Sequence, residues 1–278
     1  MVAVDCRFAS DVAAIVARRH DLGGDLWTTP DRRLLKGSPF NTLECVGYLL
    51  ELGMAPDEPV LRDASELILS RWLPDGRFRL YPDSAPLPCQ TAFAARILCQ
   101  AGYADDQRVQ VTLNHLLATR WEDSGWRCNR FPYGRGPETE HSNPHPTLQA
   151  LDAFRLAGWA NTSHQLDQAV DFLLAHWETR VPIGPCHYGI GTLFMQPEFP
   201  FRSYNLFYWV YVLSFYGHAR TDWRFQAAYQ QLADKTEDGQ IVVERVVPKL
   251  ANLSFCRKGQ PSLLATRRWR EVQTNVAN

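Results

Sequence analysis

A repeated unit of about fifty residues constrains this chain more than any other feature. The segment Leu67 to Phe78 (LILSRWLPDGRF) returns as Leu116 to Trp126 (LLATRWEDSGW), and again from Phe172 (FLLAHW) towards Gly184. The three tryptophans, Trp72, Trp121 and Trp177, stand 49 and 56 residues apart. A related turn precedes them at Gly24–Trp27, and another follows at Asp238–Ile241. A second half recurs as well. Phe40 to Gly53, Pro88 to Gly102, Pro146 to Gly158 and Arg202 to Gly217 are each apolar at spacings of three and four. Proline at the start and glycine just past the end are helix start and stop signals. Proline tolerates the first turn, where its missing N–H would be unsatisfied anyway, and glycine tolerates the left-handed residue that closes a helix. The last copy, Pro261 to Val272, lacks the closing glycine, as terminal repeats often do.

The pattern predicts ten helices in five hairpins, all in one domain over residues 1–278. Outer helices are expected at about 9–20, 58–72, 106–121, 164–178 and 222–235, and inner ones at about 40–52, 89–101, 146–157, 203–216 and 261–272. An open solenoid of the tetratricopeptide kind would have a repeat of about 34 residues and short turns at both ends. Here one end has short turns, and the other carries long connections at Glu122 to Asn143 and Arg180 to Phe201. Long connections without their own structure usually carry function. The run Ile241 to Val247 in the fifth connection is β-rich, and a short edge strand or an extended wrap is expected there.

Charge separates some partners from others. Lys plus Arg number 29 against 30 Asp plus Glu, so no general affinity for nucleic acid or an anionic membrane surface is expected. The longest apolar stretch, Leu206 to Phe215, is about half of the ~20 residues needed to span a bilayer. No basic segment leads into an apolar run at the N-terminus, and the seven cysteines are scattered; reduced thiols and a cytoplasmic location are the expectation.

The unit of helix, Gly-x-aromatic turn and proline-started helix resembles the prenyltransferase and squalene cyclase repeat over nearly the whole chain. That resemblance implies an α/α toroid of about five hairpins whose inner helices line a central hydrophobic cavity. It implies an enzyme of the prenyltransferase or terpene-cyclase kind acting on a hydrophobic small molecule or lipid, an isoprenoid diphosphate among them. It also implies, as for prenyltransferase β chains, a helical partner subunit. In protein farnesyltransferase β subunits a similar Gly-aromatic, Arg-Cys-Asn-Lys turn supplies cations to a lipid diphosphate. Arg127 and Arg130 fall on its two basic positions, and a guanidinium fork suits phosphate oxygens. Pairing with Glu138 and Glu140, which would pin the loop, is the alternative role for these arginines.

The family's Asp-x-Cys metal motif is absent after this turn, although His145 stands near an inner-helix start. The Asp-x-Asp-Asp acid of class II cyclases is absent too, and the pair Asp105-Asp106 is better read as a helix cap. A weaker similarity is to lanthionine cyclases, toroids whose zinc is held by Cys, Cys and His. Cys128, Cys186 and His187 match those ligands by type and order, with His141 or His145 available to complete the set. Zinc is therefore the expected metal. His145, Cys128 and His187 are the candidate catalytic groups, and Arg127, Arg130, Tyr133, Arg135, Glu138, Asn143 and Tyr188 the candidate substrate contacts on the two long loops. Gln90, Asn41, Asn205 and Tyr204, near inner-helix starts, are candidate cavity groups; the amides suit helix caps equally. The aromatic residues of Tyr204 to Tyr216 serve either as cavity lining or as core. A toroid without catalysis, holding a peptide or lipid at its mouth, is the rival to an enzyme.

Overall fold

The computed structural model of the chain describes residues 6–128 and 133–278. It is mostly helical, and among the described residues the only sheet pairs two-residue strands β1 (Thr236–Glu237) and β2 (Gln240–Ile241). The first helix of each hairpin is α1 (Ala9–Ala17), α3 (Pro59–Leu69), α5 (Gln107–Ala118), α7 (Asp167–Thr179) and α10 (Trp223–Ala233). The second is α2 (Thr42–Glu51), α4 (Pro88–Gln100), α6 (Pro144–Leu156), α8 (Leu206–Leu213) and α11 (Leu263–Ala277). Every helix expected from the repeat is present. One short addition, α9 (Gly217–Arg220), follows α8 directly, so Gly217 opens a helical turn instead of closing a helix. Of the run 241–247, where a short edge strand or an extended wrap is expected, Ile241 ends strand β2, and the residues after it run extended, bridging Val242 to Pro261 and Arg245 to Glu198.

The repeat is visible as repeated hydrogen bonds. The first-turn threonines Thr91, Thr147 and Thr266 each accept from the backbone N–H that follows a Gly turn, at Phe78, Trp126 and Ile241, over 3.1–3.2 Å. Trp27 and Trp126 each donate their indole N–H to a carbonyl of the preceding first helix, Ile15 and Leu116, at 2.9 Å. At the far end, Gly53, Gly102 and Gly158 sit at φ between +79° and +87°. The next residue in each case bonds back to Leu49, Leu98 or Phe154 over 2.9–3.0 Å, which satisfies a carbonyl that the helix leaves open.

The second helices lie side by side in the order α2, α4, α6, α8 and α11, with the most extensive packing between α4 and α6. Arg268 on α11 then reaches Glu51 on α2 at 2.8 Å. The two ends of the chain also meet: Asp11 on α1 accepts from the N–H groups of Ser254 and Phe255. Helix α8 is buried along its whole length, which accounts for its lack of a polar face. None of the described helices is long and apolar enough to cross a membrane.

Candidate functional site

The two long connections fold against each other at the starts of α4 and α6. The connection before α6 is stapled internally. Trp121 Nε1 donates to the Glu140 carbonyl at 2.7 Å, and Asp123 accepts from the Ser142 N–H at 2.8 Å. It is then joined to the next connection through Tyr133 N–H to the Pro185 carbonyl (2.7 Å) and Gly184 N–H to the Glu138 carbonyl (2.9 Å). Gly184 makes this approach sterically feasible. It lies at φ +75°, and a Cβ there would stand 2.6 Å from the Ser142 carbonyl oxygen.

This docking brings Cys128 and Cys186 together. Their thiols hydrogen-bond each other, and that contact, with burial, raises the Cys186 pKa above the ordinary thiol value. Cys89, on the first turn of α4, lies within electrostatic reach of both, and burial pushes its thiol up to about 12. Tyr188 stands close enough to feel all three sulfurs. Asn143, fully buried, accepts from the Cys128 N–H at 2.6 Å through Oδ1, which fixes the backbone under that thiol. Its Nδ2 lies beside Cys186 but makes no hydrogen bond of good geometry. Among the described residues, Gln90 Oε1 and His145 Nε2 are likewise buried without partners. The His145 ring packs edge-on against Tyr188 and Tyr208, with centroids 5.8 and 6.3 Å away. Burial, aided by the Arg96 cation, lowers its pKa to about 3 and keeps the imidazole neutral. Among the described residues no group of three or more His, Cys, Asp or Glu side chains is already arranged to hold a metal ion.

The remaining sequence candidates take other places. His187 is exposed, at φ +57°. Arg127 pins the loop: its Nε donates to the Thr139 carbonyl at 2.9 Å, its guanidinium stacks 4.6 Å over Trp121, and Glu140 lies 3.6 Å away. Glu138 accepts from the N–H groups of Arg135 and Gly136, which makes it a turn cap; Arg135 itself is exposed. Asn205 and Asn41 both cap helices, α8 and α2, accepting at 3.1 and 3.0 Å. Tyr204 is buried, with its hydroxyl 2.9 Å from His176 Nδ1. Arg130 lies outside the described residues. Trp121, Tyr133, Val181 and Leu193, by contrast, are large apolar side chains left exposed on this same pair of connections.

Sequence reasoning missed what lies between the second helices. Asp152 on α6 is 1% exposed and accepts from Arg96 Nε and Arg155 Nε, each at 2.6 Å, and from the Tyr208 hydroxyl at 2.8 Å. Arg202 donates to Glu44 at 2.9 Å, and Arg268 bonds both Glu51 and Glu271 at 2.8 Å. Two small cavities of about 60 and 170 Å³ share Glu51, Arg96 and Phe201 as lining. Pockets for drug-sized ligands run to about 300–1,000 Å³, so neither accommodates a long isoprenoid. The expected hydrophobic lining is present only in part. Tyr48, Phe93, Tyr211 and Phe215 contribute rings, but four arginines and four carboxylates face the same space. Charged residues on faces expected to be apolar were the available signal: Arg96, Asp152 and Arg155 interrupt otherwise apolar helices.

No protein-family model matches this chain, and no curated protein matches it.

Proposed function

We propose that the five hairpins close into an α/α toroid and that the chain is a prenyltransferase-like enzyme, acting at the rim formed by its two long connections with metal-assisted thiol chemistry. The meeting of Cys128 and Cys186 carries this reading. Two thiols 58 residues apart in the chain meet beside the buried Asn143, whose Oδ1 accepts from the Cys128 N–H. Closure of the toroid is supported by the side-by-side order of the second helices and by the Arg268–Glu51 contact between last and first. A hydrophobic substrate is supported by Trp121, Tyr133, Val181 and Leu193 on the rim; entry from that side leaves the small charged interior undisturbed.

Zinc, which the resemblance implies, fits this donor set. Soft thiolates suit it, and Cys128 and Cys186 would hold it with His145 within the same neighbourhood. Bound there, the metal would supply a Lewis acid that keeps a thiol or water deprotonated near neutral pH. The chain's own residues have separate tasks. Asn143 positions the Cys128 backbone, and Tyr188 roofs the sulfurs. His145, held neutral by burial, offers ring nitrogen Nε2 for a hydrogen bond or a metal. Arg135, exposed on the same loop, is placed to meet an anionic headgroup, whereas Arg127 is engaged in holding the loop closed.

Metal analysis tests this reading directly. Protein purified without chelators is expected to contain about one zinc per chain, lost in Cys186→Ser with helical circular dichroism unchanged. Metal-free wild-type protein that also fails to take up added zinc would refute it. The rival, a toroid that only holds a lipid or peptide, draws on the exposed apolar side chains alone. It predicts farnesyl diphosphate or vesicle binding that is lost in Leu193→Asp and indifferent to Cys186→Ser.

A further inference from the structure

We propose that the larger interior cavity binds a small zwitterion, a free α-amino acid by chemical class, with its carboxylate on Arg96 and Arg155 and its ammonium on Gln100 and Glu51. This site is separate from the rim and does not depend on the metal-assisted reading.

The cavity, of about 170 Å³, lies where α2, α4 and α6 end, and Glu51, Gln100 and Leu156 in its lining are their last residues. The long connections meet the opposite end of these helices, at the starts of α4 and α6. Side chains of Glu271 and Arg268 are 33% and 20% exposed, against 1% for Asp152, so the mouth of the cavity is on the α11 side.

Two guanidinium groups in the lining have donors to spare. Arg96 and Arg155 each bond Asp152 through Nε alone, at 2.6 Å. Among the described residues, neither makes a hydrogen bond through its Nη groups, although Arg96 is only 8% exposed. About four of the five N–H donors on each are therefore left to the cavity. Arg268 differs: its Nε, Nη1 and Nη2 are all taken by Glu51 and Glu271. The open donors are also held in place, because the Arg155 guanidinium stacks 4.8 and 4.3 Å from the ring centres of Tyr211 and Phe215. A guanidinium edge matches a carboxylate bidentately. One internal carboxylate serves both cations, so a second one from a ligand is matched in charge as well as in donors.

The other half of the ligand follows from Gln100. Its Nε2 donates to Glu51 at 3.3 Å, while its Oε1 is buried without a partner. Turning the amide over would set oxygen against carboxylate, so the unpaired atom is an acceptor and calls for a ligand N–H. Charge agrees. Arg96, Arg155 and Arg268 are balanced by Glu51, Asp152 and Glu271 around this space, and a zwitterion leaves that balance intact where a simple anion or cation would upset it. Size sets the rest. A cavity of about 150 Å³ holds benzene, so this one suits a molecule of about six to nine heavy atoms.

Calorimetric titration and thermal unfolding of the full chain test this, with L-serine, L-threonine and L-valine as probes. At least one is expected to bind with a Kd below about 10 mM and to raise the melting temperature as its concentration rises. Acetate and ethylamine, each offering one of the two charges, and inorganic phosphate are expected to bind at least about tenfold more weakly. Arg155→Lys keeps the cation but removes the fork, and Gln100→Leu removes the unpaired acceptor. Each is expected to weaken binding about ten- to a hundredfold. Gln100→Leu leaves the bonds to Asp152 in place, so the test stands even if Arg155→Lys does not fold. Leu193→Asp, on the rim, is expected to bind as wild type does. No binding by any of the three probes at about 10 mM makes this a water-filled space and overturns the proposal. Acetate or phosphate binding as tightly as the amino acids does so too, as does binding unchanged in either folded variant. Binding lost in Leu193→Asp would place the ligand at the rim and likewise overturn it.

Discussion

Replacing Asp152 with asparagine keeps the side chain's shape and removes its charge, at the most heavily used carboxylate between the second helices. In the folded chain this group is 1% exposed and accepts two guanidinium N–H bonds at 2.6 Å and the Tyr208 hydroxyl at 2.8 Å. Asparagine leaves Arg155 without its hydrogen-bonded counter-charge and Arg96 with only the more distant Glu51, and an amide N–H₂ must point at one of these donors. Arg155 retains the faces of Tyr211 and Phe215 at 4.8 and 4.3 Å, a partial compensation. Breaking a buried ion pair on one side costs about 3–5 kcal/mol. At about 2–4 °C per kcal/mol for larger domains, a melting temperature lower by roughly 10 °C is expected. Burial alone would raise the Asp152 pKa, but Arg155, Arg96 and the Tyr208 bond outweigh it and hold it below the usual carboxylate value. A depressed carboxylate contributes stability that is complete above its unfolded pKa, about 3.9, and is lost as pH falls through the lower folded value. Wild type and Asp152→Asn should therefore differ most near neutrality and converge below about pH 4. Urea or thermal unfolding across that range measures both quantities. A loss under about 1 kcal/mol, or a gap that does not narrow with acid, would refute the assignment of a charge-bearing structural node.

Three further outcomes follow from the geometry. Gly102→Ala places a side chain at φ +87° with nothing within 4 Å, so its cost is purely conformational, about 1–2 kcal/mol in chemical denaturation; a neutral or stabilising result would contradict the left-handed closure of α4. Arg127→Ala removes the bond to the Thr139 carbonyl and the stack on Trp121, and should cost about 1–2 kcal/mol while speeding proteolysis around residues 133–141; unchanged stability with weakened farnesyl diphosphate binding would instead give this arginine to the ligand. His176, buried between the Tyr204 hydroxyl and the Val181 carbonyl, has its pKa lowered to about 4, chiefly by burial. The unfolded chain binds a proton there near pH 6.5 while the fold does not, so acidification from neutrality to about pH 4 removes roughly 3 kcal/mol of stability; an NMR titration of this imidazole near 6.5 would show that the ring is not held neutral.

What sequence alone determined here is local and repeated. Proline at a helix start, glycine past its end and apolar spacing of three and four act within a few residues, so all ten paired helices were legible, as was the placement of long connections at one end. The same shortness of range explains the failures. Asn41, Asn143 and Asn205 look alike in sequence because a capping amide and a ligand-facing amide occupy the same kind of helix start. Only tertiary structure separates the two caps from Asn143, which holds the Cys128 backbone. His187 follows Cys186 directly, yet it is exposed while the Cys186 thiol meets Cys128 from the other connection. In sequence Arg127 and Arg130 are two cations on one loop, but whether a cation is available depends on what folds over it, and Thr139, Glu140 and Trp121 take Arg127. The charged interior was hidden for a related reason. A single Arg or Asp on an apolar helix is costly by itself, and only the neighbouring helices, by bringing Arg96, Arg155 and Tyr208 onto Asp152, make that burial stable.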